Sequence, residues 1–198
     1  ALYNGVLSGM ALDGKSFFYV NPLEVLPEAC HKDERKFHVK PIRQKWFGCA
    51  CCPPNIARLL TSLGHYIYTP REEALYINLY VGNQVEIPVG EKTLRLRISG
   101  DYPWREQVKI VIESPSTVNH TLALRLPDWC EGPHITLNGA PVTQDIRQGY
   151  LHIHHLWQEG DTLMLTLPMP VRRVYGNPLV RHQAGQVALQ RGPLVYCL

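Results

Sequence analysis

Three thiols fall within four positions of the stretch GCACCPPNIARLL, residues 48–60: Cys49, Cys51 and Cys52. Cys51 and Cys52 stand at the start of a predicted helix, where unpaired N–H groups and the helix dipole favour thiolate over thiol. Pro53 and Pro54 fix the backbone behind them and remove two donors. Adjacent thiolates repel each other. A bound cation resolves that repulsion, and zinc takes thiolate ligands in tetrahedral sites. The local chemistry is therefore that of reactive or metal-bound sulfur, beyond what packing requires.

Four readings follow from these residues. They are buried structural thiols, a disulfide or redox switch, a purely structural zinc site, and a catalytic site whose zinc-held thiolate is also the nucleophile. The redox reading meets a Cys-x-Cys spacing at Cys49-Ala50-Cys51, where redox motifs use Cys-x-x-Cys. The structural-zinc reading needs a second cysteine pair, and the chain offers one cluster. Cys30, Cys130 and Cys197 lie apart from it, each in or beside apolar or aromatic residues, and read as free thiols acting as small hydrophobes.

The element that positions the cluster is the helix after it. Ile56, Leu59, Leu60 and Leu63 recur at helical spacing, Pro54 suits a first turn, and Gly64 suits the position after the last. Before the cluster, Leu2, Val6, Leu7 and Met10 also recur at helical spacing, with Gly14 as a stop. FFYVNPLEVLPEAC reads as extended or looped, and HKDERKFHVKPIRQK as a solvated loop. From Tyr66 onward the period changes to two. LYINLYV, QVEIPV, TLRLRIS, QVKIVIES, TLALRLP, HITLNG, YLHIHHLW, DTLMLTLP and QVALQR alternate or nearly so, with turn signals such as Asn138-Gly139 between many of them. Short strands without intervening helices predict an antiparallel β-sandwich. His152 and His154 share a face of one strand; a surface strand is favoured over a metal pair, since no acidic or Cys partner is near in sequence. Trp104, Trp129 and Trp157 read as packing residues before they read as a sugar-binding face.

Composition bounds the rest. The 198 residues are 45% hydrophobic and 19% charged with a net charge of +3, which describes a globular protein with a real core. Lys and Arg are scattered, so no basic stripe argues for nucleic acid, and no apolar run approaches a membrane span. Free cysteines suggest a reducing compartment, hence a cytoplasmic location. The chain opens without Met and closes on PLVYCL, so both ends read as cut from a longer protein.

ALYNGVLSGMALDGKSFFYVNPLEV, followed by VKPIRQKWFGCACCPPNIARLLTSLGHYIY, resembles the bacterial β-L-arabinofuranosidases of glycoside hydrolase family 127. The resemblance covers about the first 70 residues strongly and continues more loosely to RGPLVYC; the string CACCPPNIARLL is its most specific part. It implies an (α/α)6 barrel accompanied by β-sandwich domains, and retaining hydrolysis with a cysteine nucleophile, a zinc ion and a glutamate acid/base. Carried over, Cys51 matches the nucleophile and a zinc ligand, Cys52 matches a second zinc ligand, and Tyr19 matches a tyrosine that contacts the sugar. Cys49 belongs to the motif without a ligand role. The other ligands, from a Glu-x-Cys motif, and the acid/base glutamate are expected upstream of Ala1. Glu28 and Cys30 form a Glu-x-Cys here, but in the loop before the motif, and are disfavoured as ligands.

The resulting expectation is the closing helices of an (α/α)6 barrel over residues 1–66, an antiparallel β-sandwich over 67–175, and the start of a further β domain over 176–198. The substrate implied is an arabinofuranoside oligosaccharide, with a homodimer as the candidate assembly. The alternative is a non-catalytic carbohydrate-binding or structural module with a structural zinc–thiolate site.

Overall fold

The computed structural model describes residues 2–20, 25–32, 38–49, 51–143 and 145–196. Cys197 and residues 33–37 of the charged run lie outside the described residues. The described chain is mostly β-sheet with few helices. It divides into two compact units, one of Ala1–Thr61 with Val171–Leu198, the other of Ser62–Pro170. No helix among the described residues is long and apolar enough to cross a membrane.

The unit of Ser62–Pro170 holds two sheets. One comprises β1 (Tyr68–Pro70), β2 (Ala74–Ile77), β6 (Val118–Arg125), β10 (Tyr150–Trp157) and β9 (Ile146–Arg147), in that order. The other is ordered β3 (Asn83–Val89), β4 (Lys92–Ser99), β5 (Gln107–Ile112), β11 (Thr162–Thr166), β7 (His134–Leu137) and β8 (Ala140–Pro141). All nine alternating segments become strands, eight of them in these two sheets. Their alternation buries one face: Leu75, Ile77, Leu122, Leu124 and Leu151 of the first sheet join Leu94, Leu96, Ile110, Leu163 and Leu165 of the second in a single apolar cluster. Burying each such side chain contributes about 1.5–3 kcal/mol.

The pairing is not wholly antiparallel, as the alternation had implied. β2 runs parallel to β6, with Tyr76 opposite Ala123. The chain between them passes through β3, β4 and β5 of the other sheet, and such a long crossover permits a parallel return. Trp157 is fully buried and donates its indole N–H to the His120 carbonyl at 2.9 Å; Trp129 packs against the cluster, while Trp104 is exposed. At the β7–β8 turn, Asn138 takes φ 51° and Gly139 φ 85°, as a tight hairpin requires.

The other unit carries α1 (Pro27–Lys32), α2 (Cys52–Thr61) and a three-stranded sheet of β12 (Val171–Tyr175), β13 (Val187–Arg191) and β14 (Leu194–Tyr196). The helical spacing at the N-terminus forms a π-helical segment, Leu2–Leu7, whose Asn4 side chain donates to the Pro193 carbonyl and accepts from the Val195 N–H. PEACHK, read as loop, forms α1: Pro27 suits the first position and Glu28 the first turn. Gly64 does not follow the last turn of α2. The helix stops at Thr61, whose hydroxyl binds the carbonyls of Ala57 and Arg58, and Gly64 opens the one-turn α3 (Gly64–Ile67).

Candidate active site

The segment around Phe17 and the segment around Phe47 are tied together by backbone hydrogen bonds. Phe17 and Gln44 exchange N–H···O bonds, both 2.9 Å, and Phe17 also bridges to Met10. Two residues beyond Phe17 stands Tyr19; five beyond Gln44 stands Cys49. The bridge therefore brings residues from distant parts of the sequence side by side. Phe47, buried at 8% exposure, packs its ring 5.3 Å from Phe17 and 5.5 Å from Tyr19, and His38 meets Tyr19 edge-on at 5.6 Å. These rings hold the Tyr19 hydroxyl toward the cysteines.

α2 positions the sulfurs. The Cys51 carbonyl accepts the Asn55 N–H, so Cys51 stands at the cap and Cys52 begins the helix. Pro53 and Pro54 occupy first-turn positions whose N–H groups would otherwise lack partners. The apolar stripe of α2 is not buried; Leu60 is 51% exposed.

Cys49 Sγ lies 3.3 Å and Cys51 Sγ 3.4 Å from Tyr19 Oη, the two sulfurs are 3.5 Å apart, and Cys52 Sγ is 3.8 Å from Cys51 Sγ. Hydrogen bonds from Tyr19 first, then from Cys49, pull the Cys51 thiol below its ordinary pKa. The neighbours move the other way. Hydrogen bonding to Cys49 and Cys51 raises Tyr19, and burial, followed by the bond to Cys51, raises Cys52. The cluster thus favours the thiolate at Cys51 over that at Cys52, which suits Cys51 to act as a nucleophile.

The same sulfurs suit a metal in part. Two thiolates about 2.3 Å from one zinc at the tetrahedral angle stand about 3.8 Å apart, which matches the separation of Cys51 and Cys52. Among the described residues no three His, Cys, Asp or Glu side chains form a metal-holding group, so Glu28 and Cys30 do not complete a site with them. Cys30 and Cys130 are partly buried and stand apart from the cluster in sequence. The strand histidines join no metal group either: His154 Nδ1 is 3.0 Å from Thr121 Oγ1, and His152 sits edge-on to Tyr76 at the rim of a cavity of about 360 Å3.

The sequence and its family resemblance had singled out Tyr19, Cys51 and Cys52, which the structure brings together, and had left Cys49 without a ligand role. Sequence reasoning missed the contact of Cys49 with Tyr19, and it missed Phe47 and His38 altogether. The only signal was the aromatic character of Phe17-Phe18-Tyr19 and Trp46-Phe47 on either side of the loop.

Comparison with known proteins tiles the chain. Residues 1–65 match the family model described as "Beta-L-arabinofuranosidase, GH127 catalytic domain", 74–169 match the "GH127 middle domain", and 171–198 match the "Glycoside hydrolase family 127 C-terminal domain". The chain is 39% identical to a non-reducing end beta-L-arabinofuranosidase of Bifidobacterium longum subsp. longum over 99% of its own length and 30% of that relative's. It superposes on the crystal structure of Ara127N-Se, a GH127 beta-L-arabinofuranosidase from Geobacillus stearothermophilus T6, with a TM-score of 0.87 at 50% identity, covering 98% of this chain and 31% of that one. A second solved structure, described as a GH127 beta-arabinofuranosidase, gives 0.84 at 35% identity, with 98% and 31% covered. The chain therefore spans about a third of the length of these relatives. Three consecutive family models along one chain, with the cysteine cluster inside the first, place this protein in glycoside hydrolase family 127.

Proposed function

We propose that this chain is part of a retaining glycoside hydrolase that releases L-arabinofuranose from β-L-arabinofuranosides, with Cys51 as its nucleophile. The observation that carries the proposal is the Tyr19 hydroxyl against the Cys51 sulfur at 3.4 Å, a contact that lowers the Cys51 thiol. Residues 1–66 would contribute the closing helices of an (α/α)6 barrel, and the two sheets that share one core would form the sandwich. Family membership supports both. An arabinofuranoside oligosaccharide in a cytoplasmic setting is the substrate this reading implies.

In the first displacement Cys51 Sγ attacks the anomeric carbon. The glycosidic C–O bond breaks, and the departing oxygen takes a proton from a general acid, the glutamate that the family resemblance implies. In the second, water attacks the same carbon, the C–S bond breaks, and the sulfur regains its electron pair. Two inversions give net retention. Tyr19 would donate to the Cys51 thiolate before the first displacement and again after the second, when the sulfur is free of the sugar. Cys51 and Cys52 would hold zinc, which when bound supplies positive charge that stabilises thiolate and makes sulfur a better leaving group.

The test is Cys51→Ala in the full-length protein, assayed on an aryl β-L-arabinofuranoside with folding checked by thermal unfolding. Turnover should vanish with the fold intact. A variant retaining more than about a hundredth of the wild-type rate excludes Cys51 as the nucleophile, because covalent catalysis has no easy bypass.

A further inference from the structure

Cys51 Sγ has two sulfur neighbours, joined to it by different backbone. Cys52 Sγ is 3.8 Å away, but residue 52 already belongs to α2. A disulfide spanning a single peptide bond needs a distorted peptide that a helical turn does not provide. Cys49 Sγ is nearer, at 3.5 Å, and residues 49 and 51 both sit in bends ahead of the helix. An S–S bond is about 2 Å long, so roughly 1.5 Å of approach remains, within reach of side-chain rotation. Both residues are exposed, open to a small oxidant. Both sulfurs also contact the same Tyr19 hydroxyl, so they already lie on one side of it.

We propose that Cys49 is a resolving thiol for Cys51, and that hydroperoxides convert the pair into a reversible disulfide. A hydroperoxide transfers one oxygen to Cys51 Sγ, giving a sulfenic acid and water or the corresponding alcohol. Cys49 Sγ then displaces that oxygen as water and forms the S–S bond. Two electrons leave the two sulfurs and reduce the peroxide; a dithiol returns them. Without a resolving partner the sulfenic acid is open to further oxidation to sulfinic acid, which thiols do not reverse. The disulfide would therefore protect Cys51 while it is out of use. The effect on turnover rests on the function proposed above; the linkage does not.

Full-length wild type and Cys49→Ser are treated with hydrogen peroxide, alkylated, and mapped by peptide mass spectrometry. In wild type the peptide carrying residues 49–52 should lose two hydrogens, with Cys49 and Cys51 refusing alkylation together and Cys52 accepting it. Dithiothreitol should restore both thiols. In Cys49→Ser, Cys51 should instead be trapped by dimedone and pass to a form that dithiothreitol does not recover. A Cys51–Cys52 link, no link in wild type, or equal irreversible oxidation of Cys51 in both proteins overturns the proposal. If the variant does not fold, the wild-type linkage map decides. A Cys49–Cys51 link that leaves turnover intact would uphold the disulfide and count against Cys51 as the nucleophile.

Discussion

Tyr19 Oη stands 3.4 Å from Cys51 Sγ across 32 residues of sequence; the thiol donates to the hydroxyl oxygen, and once ionised the sulfur accepts the hydroxyl proton instead. A hydrogen bond to the charged form of an acid favours that form, so this contact lowers the Cys51 thiol. In Tyr19→Phe the donor is gone, the thiolate loses its support, and the thiol pKa moves up. Iodoacetamide alkylation of Cys51, followed against pH, should therefore reach half its maximal rate at higher pH in Tyr19→Phe than in wild type. Coincident profiles would mean that the hydroxyl does not support the thiolate.

The metal assignment makes a second prediction. The full-length protein, purified without added metal, should carry about one zinc per chain by elemental analysis and lose activity with it under strong chelation. The 198-residue chain, offering Cys51 and Cys52, should bind zinc far more weakly. Closed four-ligand sites contribute about 10–16 kcal/mol in small zinc domains, and two thiolates supply only part of that. Tight stoichiometric binding by the chain alone would require Glu28, Cys30 or Cys49 to complete the site.

Much of the β-structure was legible because its signal is local. In β4, β5 and β11 every second residue faces one core, and that pattern is written directly in the sequence. β12 was missed as a strand because Arg172 and Arg173 interrupt the alternation of Val-Arg-Arg-Val-Tyr, a strand with no fully buried residue. β1 is three residues ending on Pro70, too short for a period. The end of α2 escaped because the helix stops at Thr61, before Gly64, and the Thr61 hydroxyl bonds the Ala57 and Arg58 carbonyls, which leaves no glycine signal at the true end. At the site, the thiols announced themselves by spacing. Tyr19 did not: it reaches them through the Phe17–Gln44 bridge, a long-range pairing that carries no periodic trace, and only the family resemblance pointed to it.

Asn138 and Asp161 form a polar knot in the unit of Ser62–Pro170. Asn138 Nδ2 donates to Asp161 Oδ1 at 2.8 Å, its Oδ1 accepts the Thr162 N–H at 2.8 Å, and Asp161 Oδ2 accepts the Gln158 N–H at 2.9 Å. Asp161 is 5% exposed, so its bonds cannot be replaced readily by water. Asp161→Ala should cost about 1–3 kcal/mol, read as a lowered urea midpoint. Asn138→Gly keeps the positive φ but loses the side-chain bonds, and should cost less than Asn138→Ala, which loses both.

Trp157→Phe tests the core. The substitution removes the indole N–H and leaves the buried His120 carbonyl without that donor, besides opening space where the larger ring stood. A loss of about 1–3 kcal/mol in denaturant unfolding is expected from the lost bond, with any cavity adding to it. An unchanged midpoint would mean that the indole N–H contributes nothing there.

Covalent trapping tests the central claim most directly. Full-length protein is incubated with an epoxide shaped as β-L-arabinofuranose, digested, and mapped by mass spectrometry, with free L-arabinose-site ligand as competitor. The ring opens by attack of the nucleophile, which remains bonded to the sugar carbon. The account expects one adduct per chain, on Cys51, suppressed by the competitor and absent in Cys51→Ala. An adduct on a carboxylate with Cys51 left free would contradict it, and the nucleophile would then lie outside the cysteine cluster.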